Sequence, residues 1–108
     1  MLPTRVQVGP YELEVRCSEA AMDHADAKSG ISCDGATITR KGWIAIRPEI
    51  TESAKREVLL HEVMHSVWFV AGRHDGKVDD ETAIGILAPT LLDTLRRNPD
   101  LAAFLLSD

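Results

Sequence analysis

One helical run constrains this chain more than any other feature. Between about residues 50 and 71 the apolar positions Ala54, Val58, Leu59, Val63, Met64, Val67, Trp68 and Val70 form a broad stripe. A stripe that wide predicts a helix buried on more than one side. Into it the sequence inserts His61, Glu62 and His65, in the order His-Glu-Val-Met-His. Burying two imidazoles and a carboxylate without partners is costly. Side chains four apart share one helix face, so both rings can grip one metal ion. Glu62 then lies beside the open coordination position, where a general base is needed. Thr51 or Ser53 can cap this helix, Glu52 suits its first turn, and Gly72 is a natural stop.

The first half of the chain reads as strand. Val6, Val8, Tyr11, Leu13 and Val15 alternate apolar with polar, broken at Gly9-Pro10, which predicts a turn between two short strands. Residues 18 to 30 are ambiguous: Ser18 to Met22 suit a helical turn, and Lys28-Ser29-Gly30 a loop. Ala36 to Thr39 and Trp43 to Arg47 flank Arg40-Lys41-Gly42, the strongest hairpin signal present. Beyond a polar loop at residues 73 to 78, Asp79-Asp80-Glu81 open a second helix with acids at its positive end. Ile84, Leu87, Ala88, Leu91, Leu92 and Leu95 mark its expected buried face. Pro89 should kink or split that helix, and Pro99 to Leu106 suit a short terminal one. The expected fold is α+β: a short antiparallel sheet of three or four strands packed on the long helix and a following C-terminal helix, in a single domain over residues 1–108.

A chain of 108 residues holds one small domain. Its net charge of −5 and scattered Lys and Arg residues argue against nucleic acid as a direct ligand. No segment is long and apolar enough to suggest a membrane span, and the N-terminus lacks an apolar leader core. The two cysteines, Cys17 and Cys33, make no disulfide framework. They read as buried, reduced thiols in a cytoplasmic protein. An edge strand in so small a sheet could pair with a second copy to give a homodimer.

Zn2+ accepts imidazole nitrogen and carboxylate oxygen, and its catalytic sites use three protein ligands with water in the fourth position. Here His61 and His65 are the first two, and Glu62 is the candidate base. The continuation His-x-x-Gly-x-x-His of a metzincin is excluded, because Trp68 and Ala71 occupy the positions of its Gly and last His. A glutamate on the following helix is the gluzincin alternative. Glu81, three residues before Ile84, is the best candidate; Asp80 is second, and Asp79 and His74 are within reach in principle. For Asp79 and Asp80 the preferred reading is helix N-terminal charge.

The block from Val58 to Pro99 resembles small gluzincin-type zinc metallopeptidases, many phage-encoded or carried by bacteria, similar in style to ImmA/IrrE and SprT-like domains. The matching text is Leu59-Leu60-His61-Glu62-Val63-Met64-His65-Ser66-Val67-Trp68, Asp80-Glu81, Leu87-Ala88-Pro89, Leu91-Leu92 and Arg97-Asn98-Pro99. The resemblance covers roughly the C-terminal half. It implies a zincin-like packing of the sheet on the His-Glu-Val-Met-His helix and zinc held by His61, His65 and Glu81, with Glu62 as catalytic base in peptide-bond hydrolysis and a peptide or protein as substrate. The chain lacks the DNA-binding domain and long substrate-binding extension of larger members. The alternative function is therefore a zinc-stabilised binding or regulatory module on the same scaffold, without proteolysis.

Four further features have a chemical and a structural reading. Tyr11 and His74 could each polarise a carbonyl oxygen; strand packing is preferred for Tyr11, and surface exposure is the commoner state for His74. Trp43 and Trp68 read most simply as core. Asp23-His24-Ala25-Asp26 could bind an ion weakly, but a solvated loop is the preferred reading.

Overall fold

Trp43-Ile44-Ala45-Ile46 is the centre of the structure, because every one of these side chains is buried. In a strand, alternate side chains face opposite ways. Trp43 and Ala45 pack with Met22 and Ala25 on one face of the sheet. Ile44 and Ile46 pack with Leu59, Val63 and Val67 on the other. Each fully buried side chain of this size contributes about 1.5–3 kcal/mol. A computed structural model describes residues 1–29, 34–72 and 77–107.

The elements follow in chain order. Strands β1 (Arg5–Val8) and β2 (Tyr11–Cys17) precede helix α1 (Glu19–Ser29). Strand β3 (Gly35–Ile38) and a 3-10 turn (Thr39–Lys41) lead to β4 (Trp43–Ile46). Helices α2 (Glu52–Ala71), α3 (Asp80–Arg97) and α4 (Pro99–Leu106) complete the chain. The fold is α+β, with strand order β1-β2-β4-β3. β1 and β2 form a hairpin whose two-residue turn is Gly9-Pro10, and Gly9 takes the positive φ of 55° that such a turn needs at its first position. A Cβ there would lie 2.7 Å from Val70 Cγ1, so the turn also packs against α2.

The sheet is mixed, which corrects the expected antiparallel sheet. β3 and β4 are antiparallel as the hairpin signal required, but β4 pairs parallel with β2, Glu14 opposite Trp43 and Cys17 opposite Ile46. The physical reason is α1. It continues from Ser18 through the Asp23-His24-Ala25-Asp26 segment, which is helix rather than loop, and it covers the second face of the sheet. With helices on both faces, a central strand is buried on both sides and reads as a continuous apolar run. Arg47 fastens this layer, donating to Asp26 Oδ2 at 2.9 Å.

On the other face lie α2, α3 and α4. Thr51 Oγ1 accepts from Ala54 N at 3.1 Å and caps α2, and Gly72 ends it in a left-handed conformation. Asp79 caps α3 through Thr82 N at 2.8 Å. α3 runs through Pro89 as one helix, so the expected split does not occur. Its buried face is also narrower than expected. Leu87, Leu91 and Leu95 pack on the core, whereas Ile84 is 60% and Leu92 48% exposed. α3 turns one flank of its apolar arc to α2 and leaves the Ile84, Ala88, Leu92 flank outward.

Asn98, between α3 and α4, closes the outer edge of β1. Its side chain accepts from Gln7 N and donates to Gln7 O, both at 2.8 Å, as a neighbouring strand would. Among the described residues no helix is long and apolar enough to cross a membrane.

Candidate metal centre

Three stripes run along α2, and each has a different neighbour. Leu59, Val63 and Val67 are fully buried in the core. Glu62 and Ser66 are also buried, and they meet the end of the sheet. His61 and His65 are exposed beside them. The polar buried stripe has an exact partner in spacing terms only because helix and strand steps agree. Four helical residues rise about 6 Å, and two strand residues advance about 6.6 Å. Thr37 and Thr39 can therefore meet Glu62 and Ser66 in turn. The Thr37 hydroxyl donates to Glu62 Oε1 at 2.7 Å, and the hydroxyls of Thr39 and Ser66 share a hydrogen bond at 2.8 Å.

Gly35 allows β3 to come this close. A Cβ at Gly35 would lie 2.5 Å from Val58 Cγ1 and 3.1 Å from Glu62 Oε2. The result is a carboxylate that is only 6% exposed, with one oxygen held by Thr37 and the other 4.0 Å from His61 Nε2.

The two imidazoles converge. His61 Nε2 and His65 Nε2 are 3.1 Å apart, with ring planes at 73°. Two zinc–nitrogen bonds of about 2.0–2.1 Å at a tetrahedral angle hold their nitrogens about 3.3 Å apart. The observed 3.1 Å separation is close to that spacing.

The carboxylates considered as third ligand lie apart from this pair. Among the described residues no group of three His, Cys, Asp or Glu side chains gathers around one point. Glu81 is exposed in the first turn of α3, next to Asp80, and Asp79 is the helix cap. The point where α3 passes the histidines is Leu87, which lines a cavity of about 330 Å³ with His61, Met64, His65 and Trp68. Glu81 precedes Leu87 by six residues, about 9 Å of helix axis. The Ile84 face that was expected to bring Glu81 toward α2 points outward. His74 and Cys33 fall outside the described residues.

The remaining residues sort cleanly. Tyr11 packs edge-on against Phe69, with ring centroids 5.9 Å apart. Trp43 is core, as expected. Trp68 is only half-buried and instead walls the cavities on both sides of His65. Cys17 is a half-buried free thiol packed against the core. Thr37, Thr39 and Gly35 were not singled out from the sequence. Their only signal there is the strand alternation that puts Gly35, Thr37 and Thr39 on one face, and nothing in it points to α2.

Compared with known proteins, the chain matches no family model, no curated protein and no solved structure.

Proposed function

We propose that this protein is a zinc-dependent peptide hydrolase of the gluzincin type, with His61 and His65 holding the metal and Glu62 as general base; Glu81, the third ligand expected from the sequence, is not gathered with them among the described residues. The observation that carries this reading is the 3.1 Å approach of the two Nε2 atoms beside a buried carboxylate anchored at one oxygen. When bound, zinc would supply a Lewis acid and a water acidified to near neutral pH.

The chain's own residues account for the rest. Thr37 engages Glu62 Oε1, which leaves Oε2, on the His61 side, to accept a proton from the attacking water. The same oxygen can return that proton to the leaving amine. Strand β3 is an edge of the sheet and borders the site. An extended peptide can add to such an edge through its main chain, which holds the carbonyl in line without regard to sequence. The free thiol of Cys17 suits the cytoplasm, and the reading extends to a phage-type or bacterial enzyme.

The test uses protein purified without a metal-affinity column. About one zinc per chain is expected by elemental analysis. Glu62→Gln should keep the zinc and lose cleavage of a broad peptide library by at least about 100-fold. If wild-type protein holds zinc and the library stays intact, the hydrolase reading is overturned. The zinc-stabilised binding module then replaces it, with His61→Ala unfolding the domain and Glu62→Gln silent.

A further inference from the structure

Glu62 is a shared wall between two cavities that follow β3. One, of about 530 Å³, is bordered by Thr37, Arg40, Glu62, His65, Trp68 and Phe69. The other, of about 240 Å³, is bordered by Asp34, Gly35, Glu57, Val58, His61 and Glu62. The first contains His65 and the second His61, so the converging imidazoles straddle the divide. A group reacting at Glu62 would have its two neighbouring segments in different cavities.

The far walls carry opposite charge. Arg40 lines the larger cavity, with its guanidinium 5.6 Å from the centroid of the Phe69 ring. That aromatic support helps hold the cation in place and leaves its N–H groups to donate to a carboxylate. At the other end Glu57 is exposed on α2. Asp34 adds less, since Arg47 lies 3.7 Å from it. Among the described residues neither Arg40 nor Glu57 takes part in an ion pair. Each charge is therefore available to a ligand. The two cavities adjoin at Glu62 as one divided groove, in a chain whose net charge of −5 would otherwise favour basic ligands throughout.

We propose that this groove selects peptides with opposite charges on the two sides of the reacting bond: a carboxylate toward Arg40 and a cation toward Glu57. The inference rests on the peptide-hydrolase reading, and it adds the substrate class. Trp68 and Phe69 line the Arg40 side, so the preferred segment there combines an apolar body with its carboxylate. The carboxylate can come from an acidic side chain or from the end of a chain.

Binding is measured on the zinc-loaded Glu62→Gln protein by tryptophan fluorescence, with eight-residue peptides blocked at both ends. The set is neutral, uniformly charged, and bipolar in both orders, plus a free-acid version of the neutral peptide. One bipolar order should bind about tenfold tighter than the neutral peptide, as expected for two exposed charge pairs. Tighter binding of the free-acid peptide assigns the carboxylate to a chain end, and tighter binding of only the blocked bipolar peptide assigns it to a side chain. Arg40→Glu and Glu57→Lys, both surface changes, should each abolish the preference. Equal binding of neutral and bipolar peptides, or a preference that survives Arg40→Glu, overturns the inference. Wild-type protein separates the two readings. Bipolar peptides that bind but stay uncut sink hydrolysis and leave charge selection standing. Neutral and bipolar peptides cut at equal rates do the reverse.

Discussion

The Thr37 hydroxyl donates to Glu62 Oε1 at 2.7 Å and so ties the edge of the sheet to the buried acid of α2. It holds the carboxylate in one orientation, with its second oxygen toward His61. Replacing Thr37 with Val keeps the shape and removes the donor. The expected loss is about 1–3 kcal/mol, since a hydrogen bond to a carboxylate is worth more than a neutral one. Hydrolysis should fall as well, and Thr37→Ser should restore both. Denaturant midpoints and turnover by Thr37→Val indistinguishable from wild type would remove this role.

Zinc affinity tests Glu81 as the proposed third ligand. Glu81→Gln should weaken zinc binding by more than about 100-fold, beyond the usual effect of losing a supporting partner. Asp80→Asn should leave affinity nearly unchanged. Competition with a chromophoric chelator measures both. The opposite ranking would assign the ligand to Asp80 and withdraw Glu81.

Asn98 is expected to stabilise the fold from a position far from the site. It exchanges two hydrogen bonds of 2.8 Å with Gln7 and donates a third, of 2.7 Å, to Thr94 O. Asn98→Ala should cost about 1–3 kcal/mol, because it strands half-buried main-chain groups at the edge of β1. Asn98→Asp keeps the acceptor and loses the donor, so it should fall between. Thermal unfolding is the measurement, and an unchanged midpoint for Asn98→Ala would show that water replaces the amide without loss.

Glu19 and Glu49 give the stability a pH signature. The hydrogen bond they share raises the Glu19 carboxyl above its ordinary 4.5 and lowers that of Glu49 below it. A raised group stabilises the fold below its unfolded value and loses that as pH rises through the folded value. A lowered group stabilises above the unfolded value and loses that as pH falls through the folded one. The pair's contribution should therefore peak near the ordinary carboxylate range and decline on both sides. Side-chain carbon NMR should find the two midpoints on opposite sides of 4.5, and Glu49→Gln should flatten the stability profile. A common midpoint for both groups would rule the shared proton out.

Local sequence decided the ends of the helices and the identity of the converging histidines. Thr51 and Gly72 bound α2, Asp79 caps α3, and Pro99 opens α4, because capping and proline act within a few residues of themselves. The 4-residue spacing of His61 and His65 was enough to put both on one face, since helix periodicity is a local property. Tertiary structure decided the rest. The parallel register of β2 and β4 needed α1 on the second face, and Trp43-Ile44-Ala45-Ile46 is apolar in either arrangement. The outward turn of Ile84 and Leu92 depended on how α3 rolls against α2, which its broad apolar arc does not specify. The anchoring of Glu62 by Thr37 joins residues 25 apart in sequence, through two elements whose steps coincide only once they are packed.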